Sequence, residues 1–315
     1  MSSGGHAVAA GRPPVRRLGE AALLPPRMSE PRRVLRTFLT SRTATLGAVI
    51  FSLFVLIALL APYLVPHNPA QQDLRRRLAP PIGFGLERAS QEFPLGNDNL
   101  GRDILSRLIA GSRVSLMVGV TTIAVASALG SVIGVVAGYY RGVLDVLVMR
   151  LVDIWMAFPS LLLAIALGAA LGPGLSNLVV ALSLTIWVVY CRVVRAEVLS
   201  LRERDFVLAG RTIGASDLRI IMRHILPNVL APILVISSLQ MGVVIITEAS
   251  LNFLGVGVQA EVVTWGGMLA DGRQFMRDAW WLATFPGVAI SLVVWSVNLM
   301  GDGLRDALDP RLRKR

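Results

Sequence analysis

Charge is absent from long stretches of this chain, and that absence constrains its fold more than any motif. No charged residue occurs between Arg42 and Asp73, where ATLGAVIFSLFVLIALLAPYLV (Ala44–Val65) is almost wholly apolar. One bilayer crossing takes about 20 mostly apolar residues. A second charge-free run lies between Arg113 and Arg141, and a third, of 38 residues, between Asp153 and Arg192. The third is too long for one helix. Gly172-Pro173-Gly174 interrupts it, which predicts a helical hairpin with crossings at Val148–Leu171 and Leu175–Arg195. Val229–Ala249 and Ala279–Gly301 bring the number of crossings to six. Lipid leaves no backbone polar group unpaired, so these runs predict an all-α polytopic bundle.

Arginine asymmetry orients the bundle. An even number of crossings puts both termini on one side, together with the segment between crossings four and five. That side carries 21 basic residues, against nine in the segments around 66–113 and 250–278. The positive-inside rule makes the basic side cytoplasmic. Arg75-Arg76-Arg77 in the first outer loop points the other way, but long loops are weak determinants of topology. Residues 1–43, rich in Pro, Gly, Ala and Arg, read as a disordered cytosolic tail, with the first crossing an uncleaved anchor. Residues 44–112 hold that crossing and an outer loop, 113–302 the five-crossing core, and 303–315 a cytosolic tail.

Composition closes off other chemistries. At 54% hydrophobic and 16% charged the chain is too apolar for a soluble or a disordered protein. Lys314 is the single lysine. Without an internal lysine there is no phosphate loop, Schiff base or Ser-Lys nucleophile pair, so ATP hydrolysis by the chain itself is excluded. One cysteine (Cys191) and three scattered histidines (His6, His67, His224) leave no metal-ligand spacing. The net charge of +11 comes from arginines flanking the crossings, with no aromatic-interleaved platform for nucleic acid.

Within the crossings, Gly130, Gly134 and Gly138 form a stripe of small residues on one helix face that admits a second helix closely. Three charges lie at membrane depth. Arg150 and Asp153, three apart, can pair on one face as a structural or interfacial anchor, or take part in gating. Glu248 falls near the outer end of crossing five, at the interface.

The segment EVLSLRERDFVLAGRTIGASDLRIIMRHILPNVLAP (Glu197–Pro232) is too polar for lipid and too patterned for a linker. Val198, Leu201, Phe206, Ala209 and Ile213 make an apolar stripe at helical spacing. Gly214-Ala215-Ser216-Asp217 breaks it, and Ser216 or Asp217 can cap a second helix, Leu218–Leu226, ending at Pro227. A short helix–turn–helix therefore projects into the cytosol over residues 197–228, with Gly210 and Gly214 leaving room for another protein surface.

These residues resemble the EAA loop, EAA-x3-G-x9-I-x-LP, of ABC importer permeases. Leu208, Ala209 and Gly210 stand at its EAA positions, Gly214 at its glycine, His224 at its isoleucine, and Leu226-Pro227 at its Leu-Pro. Leu208 replaces the pattern's glutamate, so any contact made by that carboxylate must differ here. Four further segments are similar to the C-type permease of dipeptide and oligopeptide importers: Phe93–Val120, Met149–Ile165, Thr247–Gln259 and Gly301–Arg313. Nickel and glutathione importers share them. The resemblance implies a type I importer permease fold in a bacterial inner membrane. It implies a second homologous permease, two cytosolic ATPase subunits carrying ATP and Mg, and an extracytoplasmic binding protein. Leu208, Ala209, Gly210, Gly214, Ala215, Ser216, Asp217, Leu226 and Pro227 would form the ATPase-coupling loop. No cofactor is implied for the chain itself. Two other classes remain open. A secondary transporter would show a chain of buried acids, and an intramembrane enzyme a catalytic constellation; neither is visible.

Overall fold

The computed structural model describes residues 30–84, 91–259 and 261–308. Every named element among them is helical. In order these are α1 (Glu30–Thr40), α2 (Arg42–Leu64), a 3-10 turn (Leu74–Arg76), α3 (Ile104–Tyr140), α4 (Gly142–Met156), α5 (Ser160–Leu171) and α6 (Leu175–Arg202). They continue with α7 (Asp205–Thr212), α8 (Asp217–Ile220), a π turn (Ile221–Ile225), α9 (Leu226–Phe253), α10 (Trp265–Arg273) and α11 (Trp281–Leu308). Among the described residues five helices are long and apolar enough to cross a membrane, and α4 with α5 meets the same test only as a pair bent by 92°. The sequence predicts one straight crossing over Val148–Leu171. Pro159 explains the difference: its ring bars Phe158 from helical geometry and it has no N–H to donate. The chain leaves α4 at Ala157 and restarts behind the proline.

Two further expectations need correction. The tail predicted to be disordered to residue 43 forms α1 from Glu30 onward, which lies against α2 and α11. Residues 1–29 and 309–315 lie outside the described residues. Crossing two begins nine residues before Arg113, because Asp103 caps α3, accepting the N–H groups of Leu105 (3.2 Å) and Ser106 (3.1 Å).

The bundle is organised around α3 and α6. A Cβ on Gly134 would lie 2.6 Å from the carbonyl oxygen of Cys191, and one on Gly138 2.9 Å from that of Arg195; Gly130 fits as tightly under Trp187. The stripe on α3 therefore lies on a row of α6 residues spaced by four. Lipid provides no hydrophobic drive for helices to associate, so contact this close is the main source of attraction. Around this pair, Tyr190 of α6 shares a hydrogen bond with Ser237 of α9 (3.2 Å), and the indole of Trp155 in α4 donates to Leu184 O of α6 (2.6 Å).

The predicted Arg150–Asp153 pair does not form. Arg192 of α6 reaches Asp153 at 2.5 Å, and Arg195 grips both oxygens of Asp145 at 2.5 and 2.6 Å. Both acids of α4 thus tie it across to α6, while Arg150 is exposed. Glu248 lies near the end of α9, as its position predicts, but its side chain is 1% exposed and is turned toward Ser115 of α3.

Replacing Gly134 with leucine forces a side chain into backbone. Overpacking of this kind costs about 1–3 kcal/mol. Gly134→Leu should lower membrane abundance and the thermal midpoint in detergent, whereas leucine at the exposed position Val132 should leave both unchanged. Fluorescence-detected size exclusion across a temperature series measures the two together.

Candidate functional site

At one end of the bundle, α6 runs past its predicted end at Arg195 and stops at Arg202, and the chain turns through Glu203 and Arg204 into α7. That break resets the helical register, so the predicted stripe is not one face. Val198 and Leu201 are buried, but Phe206, Ala209 and Ile213 are exposed; Val207 and Gly210 turn inward instead. Val207 joins Ile220, Ile225, Val229, Val194, Val198 and Tyr139 in an apolar cluster that roots the hairpin in the bundle.

The turn after α7 is a Schellman motif. Gly214 N–H donates to Arg211 O at 2.9 Å and Ala215 N–H to Gly210 O at 3.0 Å, with Gly214 at φ +78°. This sign of φ, not crowding, demands glycine: a Cβ there would meet nothing within 4 Å. Ser216 occupies the N-cap position of α8, but its side chain makes no capping bond. Asp217 does not cap either. Its carboxylate accepts the Tyr139 hydroxyl at 2.6 Å, joining the hairpin to the end of α3. Arg202 donates to Tyr139 O, and the guanidinium of Arg211 lies over the Tyr139 ring at 5.2 Å. Arg141 pairs with Glu203 at 3.0 Å beside them.

The second hairpin helix does not end at Pro227. Leu226 N–H donates to Ile221 O, five residues back, and the wide turn passes directly into α9. Pro227 sits in the first turn of α9, where a missing N–H is harmless. Leu226 is half-buried and Pro227 exposed. The structure thus brings Gly210, Gly214 and Ala215 together in one turn, while Leu208, Ala209 and Ser216 project outward. The apolar groups on the outer surface of the hairpin are Phe206, Leu208, Ile213, Leu218 and Met222, with Ile213 84% and Leu218 70% exposed.

The opposite end is held by contacts to which the sequence assigned no role. Asp98 accepts the N–H groups of Leu100 and Arg102 at 2.9 Å each and pairs with the Arg102 side chain at 2.5 Å. Arg102 reaches Asp271 of α10 at 3.2 Å. Trp281 donates its indole N–H to Asn97 O (3.3 Å), and Trp265 donates to Leu108 O (2.9 Å). Glu248 organises the end of α9: Asn252 Nδ2 donates to its Oε1 at 2.6 Å, and Asn252 Oδ1 accepts Val258 N–H at 2.8 Å. Ser115 of α3 faces the same carboxyl, yet neither its Oγ nor Glu248 Oε2 completes a hydrogen bond among the described residues. The sequence signal for this knot is Glu248-x3-Asn252, a one-turn spacing followed by glycines.

Comparison with known proteins fits this architecture. Residues 130–314 match the family described as binding-protein-dependent transport system inner membrane component, and residues 31–81 match the N-terminal TM domain of oligopeptide transport permease C. A putative peptide transport system permease protein of Brucella suis is 46% identical over 279 residues, which covers 88% of this chain and 91% of the relative. The dipeptide transport system permease protein DppC of Alkalihalophilus pseudofirmus is 43% identical over 282 residues, 90% of each chain. The glutathione transport system permease protein GsiD of Pectobacterium atrosepticum is 41% identical over 282 residues, 90% of this chain and 91% of its own. With the family matched over most of the chain and relatives aligned along nearly all of it, this protein belongs to the binding-protein-dependent transport system inner membrane components, the multi-pass permeases of bacterial ABC transporters.

Proposed function

We propose that this chain is one of two permease subunits of an importer for dipeptides or oligopeptides. The observation that carries the reading is the hairpin: five exposed apolar side chains on a turn braced to α3 and α6, in a member of this permease family. Such a surface fits a groove in a cytosolic ATPase subunit, two of which would supply ATP hydrolysis. Leu208 is one of the five, so this docking is apolar where an EAA loop with its glutamate would place a charge. An extracytoplasmic binding protein would deliver the cargo to the opposite end. Peptide as cargo is supported by the names of the relatives, and glutathione, itself a small peptide, is the neighbouring alternative. In this reading the hairpin end and both termini face the cytoplasm of a bacterial inner membrane, as the arginine asymmetry requires.

Gly214 tests the coupling role. Valine at a left-handed position strains the backbone by about 1–3 kcal/mol, while asparagine tolerates it. A cost of about 1.4 kcal/mol that falls on the docked geometry lowers the equilibrium constant for docking about tenfold. Gly214→Val should therefore reduce peptide uptake by about that factor at normal membrane abundance, and Gly214→Asn should stay near the parent. Equal uptake by both variants and the parent would remove the hairpin from the coupling path.

Orientation is tested separately in a Cys191→Ala background, which keeps a buried position apolar. An impermeant thiol reagent added to cells with an opened outer barrier should label Gln71→Cys and spare Ser216→Cys. The reverse pattern overturns the orientation.

A further inference from the structure

The end of the bundle opposite the hairpin holds a cavity of about 770 Å³, bounded by the first turns of α3, the α5–α6 turn, the end of α9 and α10. This is the size range of small-ligand sites, roughly 300–1,000 Å³. Its wall carries charge of both signs: Arg107 from α3, Asp271 from α10, and Glu261 from the connection between α9 and α10. Val258, Val262 and Met268 supply apolar surface between them.

Arg107 is the unusual member. Its side chain is only 7% exposed, yet its neighbours use it poorly. Nε lies 3.5 Å from Asp98, Nη2 lies 3.7 Å from Asp271, and Nη1 makes one long hydrogen bond, 3.4 Å, to Pro69 O. Both acids give their shorter contacts to Arg102, at 2.5 and 3.2 Å. A guanidinium has five N–H donors and prefers two parallel bonds to a carboxylate at about 2.8 Å. Burying one with its donors this loosely occupied is costly unless something else completes them. Arg102, in the loop before α3, already ties Asp98 to Asp271 of α10; Arg107 adds only long contacts to the same acids and faces the cavity. Two carboxylates of the wall are accessible, Asp271 at 47%, beside Arg107, and Glu261 on the connection between α9 and α10.

We propose that this cavity holds the cargo by both ends of its main chain, with the peptide's C-terminal carboxylate on Arg107 and its N-terminal ammonium on Glu261. Side chains of the peptide then face Val258, Val262 and Met268, which impose size but little chemistry. This inference rests on the peptide reading above and assigns that cargo a place in this chain. It makes free termini, and not side-chain identity, the feature that this subunit selects.

The test uses the whole importer complex in nanodiscs without binding protein, and a photoreactive tripeptide with p-benzoylphenylalanine at its centre. The probe is made with free termini, as the C-terminal amide and as the N-acetyl form, and cross-links are mapped by mass spectrometry. The free form should cross-link within residues 252–271 and be displaced by tri-alanine, and each blocked form should do so about tenfold less, the loss of one charged pair. Arg107→Gln should abolish the preference for free acid over amide, with Arg107→Lys retaining it. Glu261→Gln, on an exposed connection where folding is not at stake, should abolish the preference against the N-acetyl form. Equal labelling by free and blocked probes, labelling elsewhere while uptake proceeds, or unchanged preferences in both Arg107→Gln and Glu261→Gln would overturn the site. Tri-alanine uptake into proteoliposomes holding the parent complex, with its binding protein outside, is measured alongside. Its absence would instead overturn the peptide reading itself.

Discussion

In lipid an apolar helix gains nothing by exchanging acyl chains for another apolar helix, so a bundle like this one depends on how closely its backbones approach. Gly130, Gly134 and Gly138 let α3 settle onto carbonyl groups of α6 at Trp187, Cys191 and Arg195. The consequence reaches beyond packing. With α3 and α6 fixed, Tyr139 at the end of one helix and Arg202 at the end of the other meet, and the hairpin is fastened to both. The orientation of the exposed hairpin surface is thus inherited from a glycine contact inside the bundle.

The charged residues of α4 show what electrostatics contributes here. Asp145 and Asp153 reach across to Arg195 and Arg192, which lie one turn apart on α6. Arg192 and Asp153 are each about half exposed, and pairs of that kind contribute little to stability in water. Their value is geometric. They fix the rotation of a short helix that the bend at Pro159 has separated from its continuation, and that otherwise turns apolar side chains to the surroundings.

Much of this was legible in the sequence, because gaps between charges report lipid directly. The crossings, the hairpin and its Gly214 turn follow from such gaps and from turn chemistry. The early start of α3 was hidden: Arg113 bounds the charge-free run, and Arg107 lies beyond it, near Asp98 and near Asp271, 164 positions away. The Arg150–Asp153 spacing permits a pair but cannot show that a better-placed arginine stands on another helix. The burial of Glu248 was hidden for a similar reason, since hydropathy gives depth along a helix and not which face meets α3. The break at Phe158-Pro159 had a local signal, and the length of the surrounding apolar run masked it.

Two helices run from the cavity to the hairpin. α3 carries Arg107 at one end and Tyr139 at the other; α9 carries Asn252 at one end and joins the hairpin through the π turn at the other. Against α6, α3 is keyed by backbone and has no freedom to slide. Against α9 its contact has another character. Gly119 meets the thioether end of Met241, whose Cε would lie 2.8 Å from an added Cβ, and beside it Ile245. Methionine is unbranched and adaptable, so this interface can repack where the α3–α6 interface cannot. The two faces of α3 thus differ: backbone contacts key it to α6, an adaptable side chain meets it from α9, and both α3 and α9 end at the cavity and at the hairpin.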